Sequence, residues 1–185
     1  MPKRPAHFTA YLAADGFFDD LVMELGRANV IDVYGRLVLV KGDPQPAVWA
    51  DNVWLKPQWI DIESIGDAAK KLKLIQRNWV AYAFDHFRRG ELIAEKLPHV
   101  SAKPLRFPSA LPAAPLGSWT LIEPDLLLAS PVCSSPLPNG AWIFDENKEE
   151  PPNRAYLKLW EILMRLQRFP GVGQVCVDLG SSPGG

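Results

Sequence analysis

The 185-residue sequence predicts a mixed α/β fold. Short runs of apolar and β-branched residues alternate with segments whose apolar residues recur every three to four positions, which is the pattern of alternating strands and helices. Apolar residues make up 48% of the chain and charged residues 22%, a balance typical of globular proteins and not of disordered chains or coiled coils. Two cysteines, Cys133 and Cys176, are too few for a disulfide scaffold or a cysteine-rich zinc site.

Most of the predicted elements lie in the first hundred residues. Strands are predicted at 8–13, 30–34, 37–40, 58–62 and 79–84, and helices at 17–27, 65–76 and 88–97. Gly35 favours a hairpin turn between the second and third strands, and Ser64 is a suitable cap for the helix at 65–76. The segment 47–55, rich in tryptophan and valine between prolines, is interpreted as a short helix.

Proline becomes dense after residue 97. Of the 18 prolines, five lie in 98–117 and five in 131–152, and such density excludes regular central elements. Strands are still predicted at 119–122, 126–129 and 141–144. An acidic run at 145–150 followed by two prolines marks a domain boundary. The predicted organisation is therefore an N-terminal α/β domain at 1–97, proline-rich strands and linker at 98–152, and a second domain beginning at 153.

The last segment has the most regular pattern. Asn153 is a suitable cap for a helix that runs to about residue 168. Its apolar residues form one stripe that is expected to be buried: Ala155, Leu159, Ile162, Leu163, Leu166 and Phe169. The run at 175–179 is apolar except for Asp178, which predicts a central strand of a parallel sheet with Cys176 in the core.

A glycine-rich sequence follows this predicted strand: Asp178-Leu179-Gly180-Ser181-Ser182-Pro183-Gly184-Gly185. Glycines beyond the carboxyl end of a parallel strand let the backbone approach a ligand closely. The pattern is neither G-x-G-x-x-G nor a G-K-[ST] loop, so it fits dinucleotide and P-loop sites poorly. About twenty residues earlier, Lys158 stands beside the apolar stripe. That lysine either belongs to a solvated basic face or points over the end of the strand, near a cofactor.

The R-A-x-x-K-L sequence at 154–159, followed by D-L-G-x-x-P-G-G at 178–185, resembles the entry to the FtsJ-type RNA ribose 2′-O-methyltransferases. With an α/β domain ahead of it, the order of parts is most similar to the RlmM-like members. Those proteins carry a THUMP-containing RNA-binding region before a class I, Rossmann-like methyltransferase domain. The resemblance therefore implies a THUMP-like fold for 1–97 and the first helix and strand of a methyltransferase domain at 153–185.

The resemblance also implies roles for individual residues. The loop that holds S-adenosyl-L-methionine is matched by Asp178, Gly180, Ser182, Pro183, Gly184 and Gly185. Lys158 matches the first lysine of the family's Lys-Asp-Lys-Glu catalytic set, and no metal is expected. The serine that RlmM-like proteins have three residues before this lysine is Ala155 here, so its contact with the cofactor would be absent. The other three catalytic residues are expected downstream of Gly185, so the chain is expected to be an N-terminal fragment without transferase activity of its own.

The implied partner is RNA, with large-subunit ribosomal RNA as the expected substrate. A cytoplasmic location without a membrane is expected, because no signal peptide or membrane span is recognisable. The net charge of −1 gives no global positive field, but the basic run at 70–77 and the pair Arg88-Arg89 are candidate phosphate contacts. An alternative is a stand-alone RNA-binding or scaffold module that retains only the start of a methyltransferase fold. A methyltransferase acting on small molecules or protein would leave the lysine-bearing helix unexplained.

Overall fold

The computed structural model describes residues 4–146, 149 and 154–177. In this part of the chain the protein is a mixed α/β protein with two four-stranded sheets and four α-helices. Contacts divide it into two compact units. The first comprises Met1–Ala102 and Ala113–Ala141, and the second comprises Lys103–Pro112 and Trp142–Gly185, each as far as its residues are described.

The first sheet of the first unit is antiparallel. It consists of β1 (Phe8–Ala13), β2 (Val30–Tyr34), β3 (Leu37–Lys41) and β4 (Ala50–Trp54), in the order β2-β3-β1-β4. Helix α1 (Phe18–Leu25) covers its outer face, where Leu21 and Leu25 pack against Tyr11 and Val38. The turn between β2 and β3 contains Gly35 at φ +61°. An added Cβ there would lie 2.6 Å from the Tyr82 hydroxyl, so this position requires glycine both for its backbone angle and for space.

The second sheet of the first unit is mixed. Its strands are β5 (Gln58–Asp61), β6 (Trp79–Ala81), β7 (Gly117–Glu123) and β8 (Leu126–Ser130), in the order β5-β8-β7-β6. Only the β6–β7 pair is parallel. Helices α2 (Ile65–Ile75) and α3 (Phe87–Ala94) cover its outer face, where Leu72 and Ile93 pack against Trp119. The Ser64 hydroxyl accepts a hydrogen bond from the backbone N–H of Asp67 at 3.1 Å, which confirms the predicted cap of α2.

The inner faces of the two sheets pack against each other. In β1, Phe8, Ala10 and Leu12 point into this central cluster, and Leu126 and Leu128 of β8 enter it from the other side. The alternate residue Tyr11 of β1 points to the layer beneath α1, as expected from the two-residue period of a strand. Layers therefore follow in the order α1, first sheet, second sheet, α2 and α3. Because both faces of each sheet are covered, β1 is buried along its whole length and is apolar except for Thr9, whose hydroxyl donates a hydrogen bond to the Gly42 carbonyl.

Two of the elements predicted before residue 146 differ in type from the structure. The helix predicted at 47–55 is wrong, because Ala50–Trp54 forms β4 and pairs antiparallel with β1, with Tyr11 opposite Val53. Valine and tryptophan fit a sheet covered on both faces, and the open side of β1 supplies the backbone partners. The strand predicted at 141–144 is also wrong as a strand. Phe144 makes only an isolated parallel bridge with Leu105.

The central position of β7 and β8 in the second sheet explains why their residues belong to the first unit. These strands follow the first proline-rich window, yet they pair with β5 and β6 from the first hundred residues. The contacts therefore group 113–141 with the first hundred residues. The functional identities assigned to 1–97, 98–152 and 153–185 stay predictions.

Candidate functional site

The candidate catalytic residue Lys158 lies on α4 (Tyr156–Leu166), in the second unit. The helix is shorter than the predicted 153–168, and the predicted cap Asn153 lies outside the described residues. At the other end, Gln167 adopts a left-handed conformation with φ 49°. Its backbone N–H bonds to the carbonyls of Leu163 and Met164, which ends the helix and satisfies two of its last acceptors.

One face of α4 is buried against aromatic side chains. The ring of Trp160 stacks on Phe107 with centroids 4.7 Å apart, and Phe144 meets Trp160 edge-on at 5.6 Å. Tyr156, one turn earlier, also contacts Trp160 edge-on at 4.7 Å. Met164, one turn later, is fully buried. Residues 156, 160 and 164 therefore form the face that holds α4 in the second unit.

The apolar stripe predicted to be buried lies mainly on another face. Leu159, Ile162 and Leu166 are 56%, 50% and 60% exposed, so the prediction of the buried face is wrong for these three residues. The amphipathic pattern itself is present. The helix turns toward two rings from the proline-rich segments, because Phe107 stacks on Trp160 and Phe144 meets it edge-on, and such aromatic pairs add stabilisation beyond the area they bury.

Lys158 is exposed on this outward side, next to Leu159 and one turn before Ile162. The charged groups around it are paired with one another. Arg154 binds both carboxylate oxygens of Glu146, at 2.9 and 2.6 Å. Arg165 binds Glu161 at 2.7 Å.

Among the described residues no carboxylate or carbonyl contacts the Lys158 ammonium. The side chain is therefore free to meet a substrate or the remainder of a site.

The six predicted cofactor residues, at 178, 180 and 182–185, lie outside the described residues. The segment just before them is described and does not form the predicted strand over 175–177. Val175 and Val177 are 91% and 76% exposed, and Cys176 is exposed rather than in the core. No described strand pairs with these residues, so they have neither ladder hydrogen bonds nor a sheet face to pack on. The structure thus places Lys158 on an exposed face of α4, whereas the glycine-rich sequence lies outside the described residues.

Other side chains that attract attention in the sequence have structural roles. Trp54 is fully buried, and Trp59 packs on the central cluster beside Phe8. His7 bonds to Asp43 at 3.0 Å.

Within residues 4–146, 149 and 154–177, no group of three or more His, Cys, Asp or Glu side chains could hold a metal ion. No helix in that part of the chain has the length and apolar character to cross a membrane.

Comparison of the chain with protein-family models found no match, and comparison with curated proteins found none either. Of the predicted site, the geometry places one member, a lysine on an amphipathic helix with no ion-pair partner among the described residues.

Proposed function

We propose that this chain is the N-terminal part of an S-adenosylmethionine-dependent RNA ribose 2′-O-methyltransferase that acts on ribosomal RNA. The observation that carries the proposal is the order of two motifs. The sequence R-A-x-x-K-L at 154–159 includes the start of α4, and D-L-G-S-S-P-G-G follows about twenty residues after Lys158. Each motif alone is of modest specificity. Their order and spacing together favour the RlmM-like arrangement.

The second apolar face of α4 supports the proposal. A helix that is apolar on two sides is stable in water only when both sides have partners. Trp160 and Met164 have theirs within the second unit, whereas Leu159, Ile162 and Leu166 are exposed. A class I methyltransferase domain packs helices on both faces of its central sheet, as other doubly wound folds do. The proposed occupant of the exposed stripe is that sheet, in the remainder of the same protein.

The chemistry explains why a free lysine is needed. S-adenosylmethionine supplies an already activated methyl group when bound, so the protein must mainly align the acceptor and assist a poorly acidic ribose hydroxyl. Alignment can contribute about 7–11 kcal/mol of barrier lowering. Lys158 would contact the 2′-oxygen and either accept its proton as the neutral amine or, as the ammonium, stabilise the developing negative charge. Asp178 and the glycines at 180, 184 and 185 would hold the cofactor.

The test uses protein expressed from the complete reading frame. We expect transfer of a labelled methyl group from S-adenosylmethionine to unmethylated ribosomal RNA, recovered as a 2′-O-methylated nucleoside after digestion. Lys158→Ala should lower kcat by about 100-fold or more while cofactor affinity, measured by calorimetry, stays unchanged. Asp178→Ala should instead weaken cofactor binding. Lys103→Ala, an exposed lysine of the second unit, is the matched control and should retain activity.

Two further observations decide between the proposal and its alternative. A reading frame that continues past Gly185 with Asp, Lys and Glu in that order would support the enzyme. Absence of both cofactor binding and methyl transfer in the complete protein would overturn it. The stand-alone RNA-binding module is the second candidate function. It is favoured by a cleft in the first unit that is lined by Lys70, Lys73 and Lys96.

A further inference from the structure

A cleft of about 460 Å³ lies between α2 and the end of α3, on the outer face of the second sheet. Its walls include Gly66 and Ala69 of α2, two small residues one turn apart that leave room between the helices. An added Cβ at Gly66 would meet only the Ser64 hydroxyl, at 3.8 Å. The space next to Gly66 is therefore open.

Three lysines line this cleft: Lys70 and Lys73 from α2, and Lys96 from the turn after α3. All three are exposed, and no described residue forms a hydrogen bond or ion pair with their ammonium groups. The one carboxylate on α2, Asp67, is held by Lys71 at 2.8 Å. Neither Glu63 nor Glu95 lines the cleft. Its positive charge is therefore not neutralised within the first unit.

We infer that this cleft binds the phosphodiester backbone of RNA. The inference rests on the proposed function for the identity of the nucleic acid, and it adds the place where the strand is held. Lys70 and Lys73 are separated by about 4.5 Å along the helix axis, and Lys96 stands on the opposite wall. The three charges are thus spread along the cleft, as a chain of phosphates requires.

The side chains that line the cleft favour binding of the phosphate backbone independently of the base sequence. Lysine is a flexible point charge, suited to phosphate contacts that position a strand, whereas base reading needs groups that bond to base edges. Apart from the lysines, the lining consists of Gly66, Ala69 and Leu74, which offer no such groups. The cleft therefore contributes affinity and salt dependence and no base preference.

The experiment measures binding of a short fluorescein-labelled single-stranded RNA of mixed sequence to the whole 185-residue chain, by fluorescence anisotropy. The charge variant is K70Q/K73Q/K96Q. Its matched control is R27Q/K41Q/K56Q, which removes the same charge from exposed positions of the first unit outside the cleft. The steric variant is Gly66→Gln, and its control is Gly90→Gln, at an open helical glycine of α3. Far-UV circular dichroism verifies that each variant folds.

The charge variant should bind RNA about 10-fold or more weakly at low salt, and the slope of log K against log salt should fall by about 2, since each lost phosphate contact to a single strand contributes about 0.7. Gly66→Gln should also weaken binding without any change in charge. Both controls should stay within about 2-fold of the parent chain.

Equal loss in the charge variant and its control would overturn the inference. So would undiminished binding by both cleft variants, or a preference for phosphatidylserine vesicles over RNA. Absence of methyl transfer by the complete protein, with RNA binding still dependent on the cleft, would contradict the proposed function while supporting this inference. Methyl transfer by the complete protein, with RNA binding independent of the cleft, would support the proposed function and contradict this inference.

Discussion

The indole ring of Trp160 lies flat on the phenyl ring of Phe107, with centroids 4.7 Å apart and an interplanar angle of 3°. This contact determines which face of α4 is exposed. Offset-stacked aromatic pairs contribute about 0.5–1.5 kcal/mol beyond the area they bury, and Phe144 adds a second ring at its edge. The face that carries Leu159 and Ile162 is consequently left outside, together with Lys158.

Substitution of Trp160 tests this orientation. Trp160→Ala should destabilise α4 by about 2–4 kcal/mol, because a large and partly buried ring loses its stacking partners. Leu159→Ala, the matched control on the neighbouring exposed position, should change stability by no more than about 0.5 kcal/mol. Amide hydrogen exchange of residues 156–166 in the 185-residue chain is the measurement. A larger loss in Leu159→Ala than in Trp160→Ala would show that the predicted stripe, and not the aromatic face, is buried.

The elements that depend on neighbouring residues were predictable from the sequence, whereas those that depend on residues far apart in the chain were not. The strand at 8–13 and the Ser64 cap of α2 were predictable because an apolar run and a helix cap are local features. The strand β4 was not, since its pairing with β1 is set by residues about 40 positions away. The buried face of α4 likewise depends on Phe107 and Phe144, which come from proline-rich segments that carry no periodic signal.

In the candidate sites, too, the local features were predictable and the long-range contacts were not. Lys158 could be placed on a helix from local periodicity alone, but the pairing of the nearby Arg154 with Glu146 could not, because Glu146 precedes it by eight residues and lies outside the helix. In the cleft, Lys70 and Lys73 belong to a basic run visible in the sequence. Lys96 joins them only because α3 packs beside α2. A sequence signal for the cleft was present in Gly66 and Ala69, two small residues one turn apart on the lysine-bearing helix.

The two cysteines should react very differently with a thiol reagent. Cys133 is half-buried, and burial raises the pKa of its thiol above the ordinary 9.0, so both access and thiolate formation are reduced. Cys176 is exposed. We expect one fast-reacting thiol in the native chain, lost in Cys176→Ser and retained in Cys133→Ser, with both thiols reacting in denaturant.

The same burial makes stability depend on alkaline pH. The unfolded chain releases the Cys133 proton more readily than the folded chain, so the free energy of unfolding should decrease as pH rises above about 9. Cys133→Ser should reduce this decrease.

In the thiol-reagent experiment, a fast-reacting Cys133 together with a protected Cys176 would contradict the arrangement and would favour the buried strand predicted at 175–179.

Gly140 should tolerate no side chain. It has φ +78°, and an added Cβ would overlap the backbone carbonyl of Asp51 at the start of β4. Gly42, at φ +97° with nothing within 4 Å of an added Cβ, is the control that has backbone strain without a clash. Gly140→Ala should therefore cost at least about 2 kcal/mol more than Gly42→Ala, measured by urea denaturation of the first unit. Similar costs would mean that the loop before Ala141 can move away from β4.

The Asp67–Lys71 pair next to the lysine-lined cleft gives a pH-dependent prediction. The Lys71 ammonium bonds to Asp67 at 2.8 Å and the Glu63 N–H adds a second bond, which together hold the pKa of the Asp67 carboxyl below its ordinary 3.8. Because the folded-state pKa is lowered, the stabilisation is present above pH about 4 and is lost as pH falls through the folded value. Lys71→Gln should raise the pKa of Asp67, measured by carbon NMR of its carboxyl, whereas Lys73→Gln should leave it unchanged. An equal rise in both variants would show that Asp67 responds to the general field of the α2 lysines, and would undermine the view that Lys71 is its main partner and that the cleft stays positive.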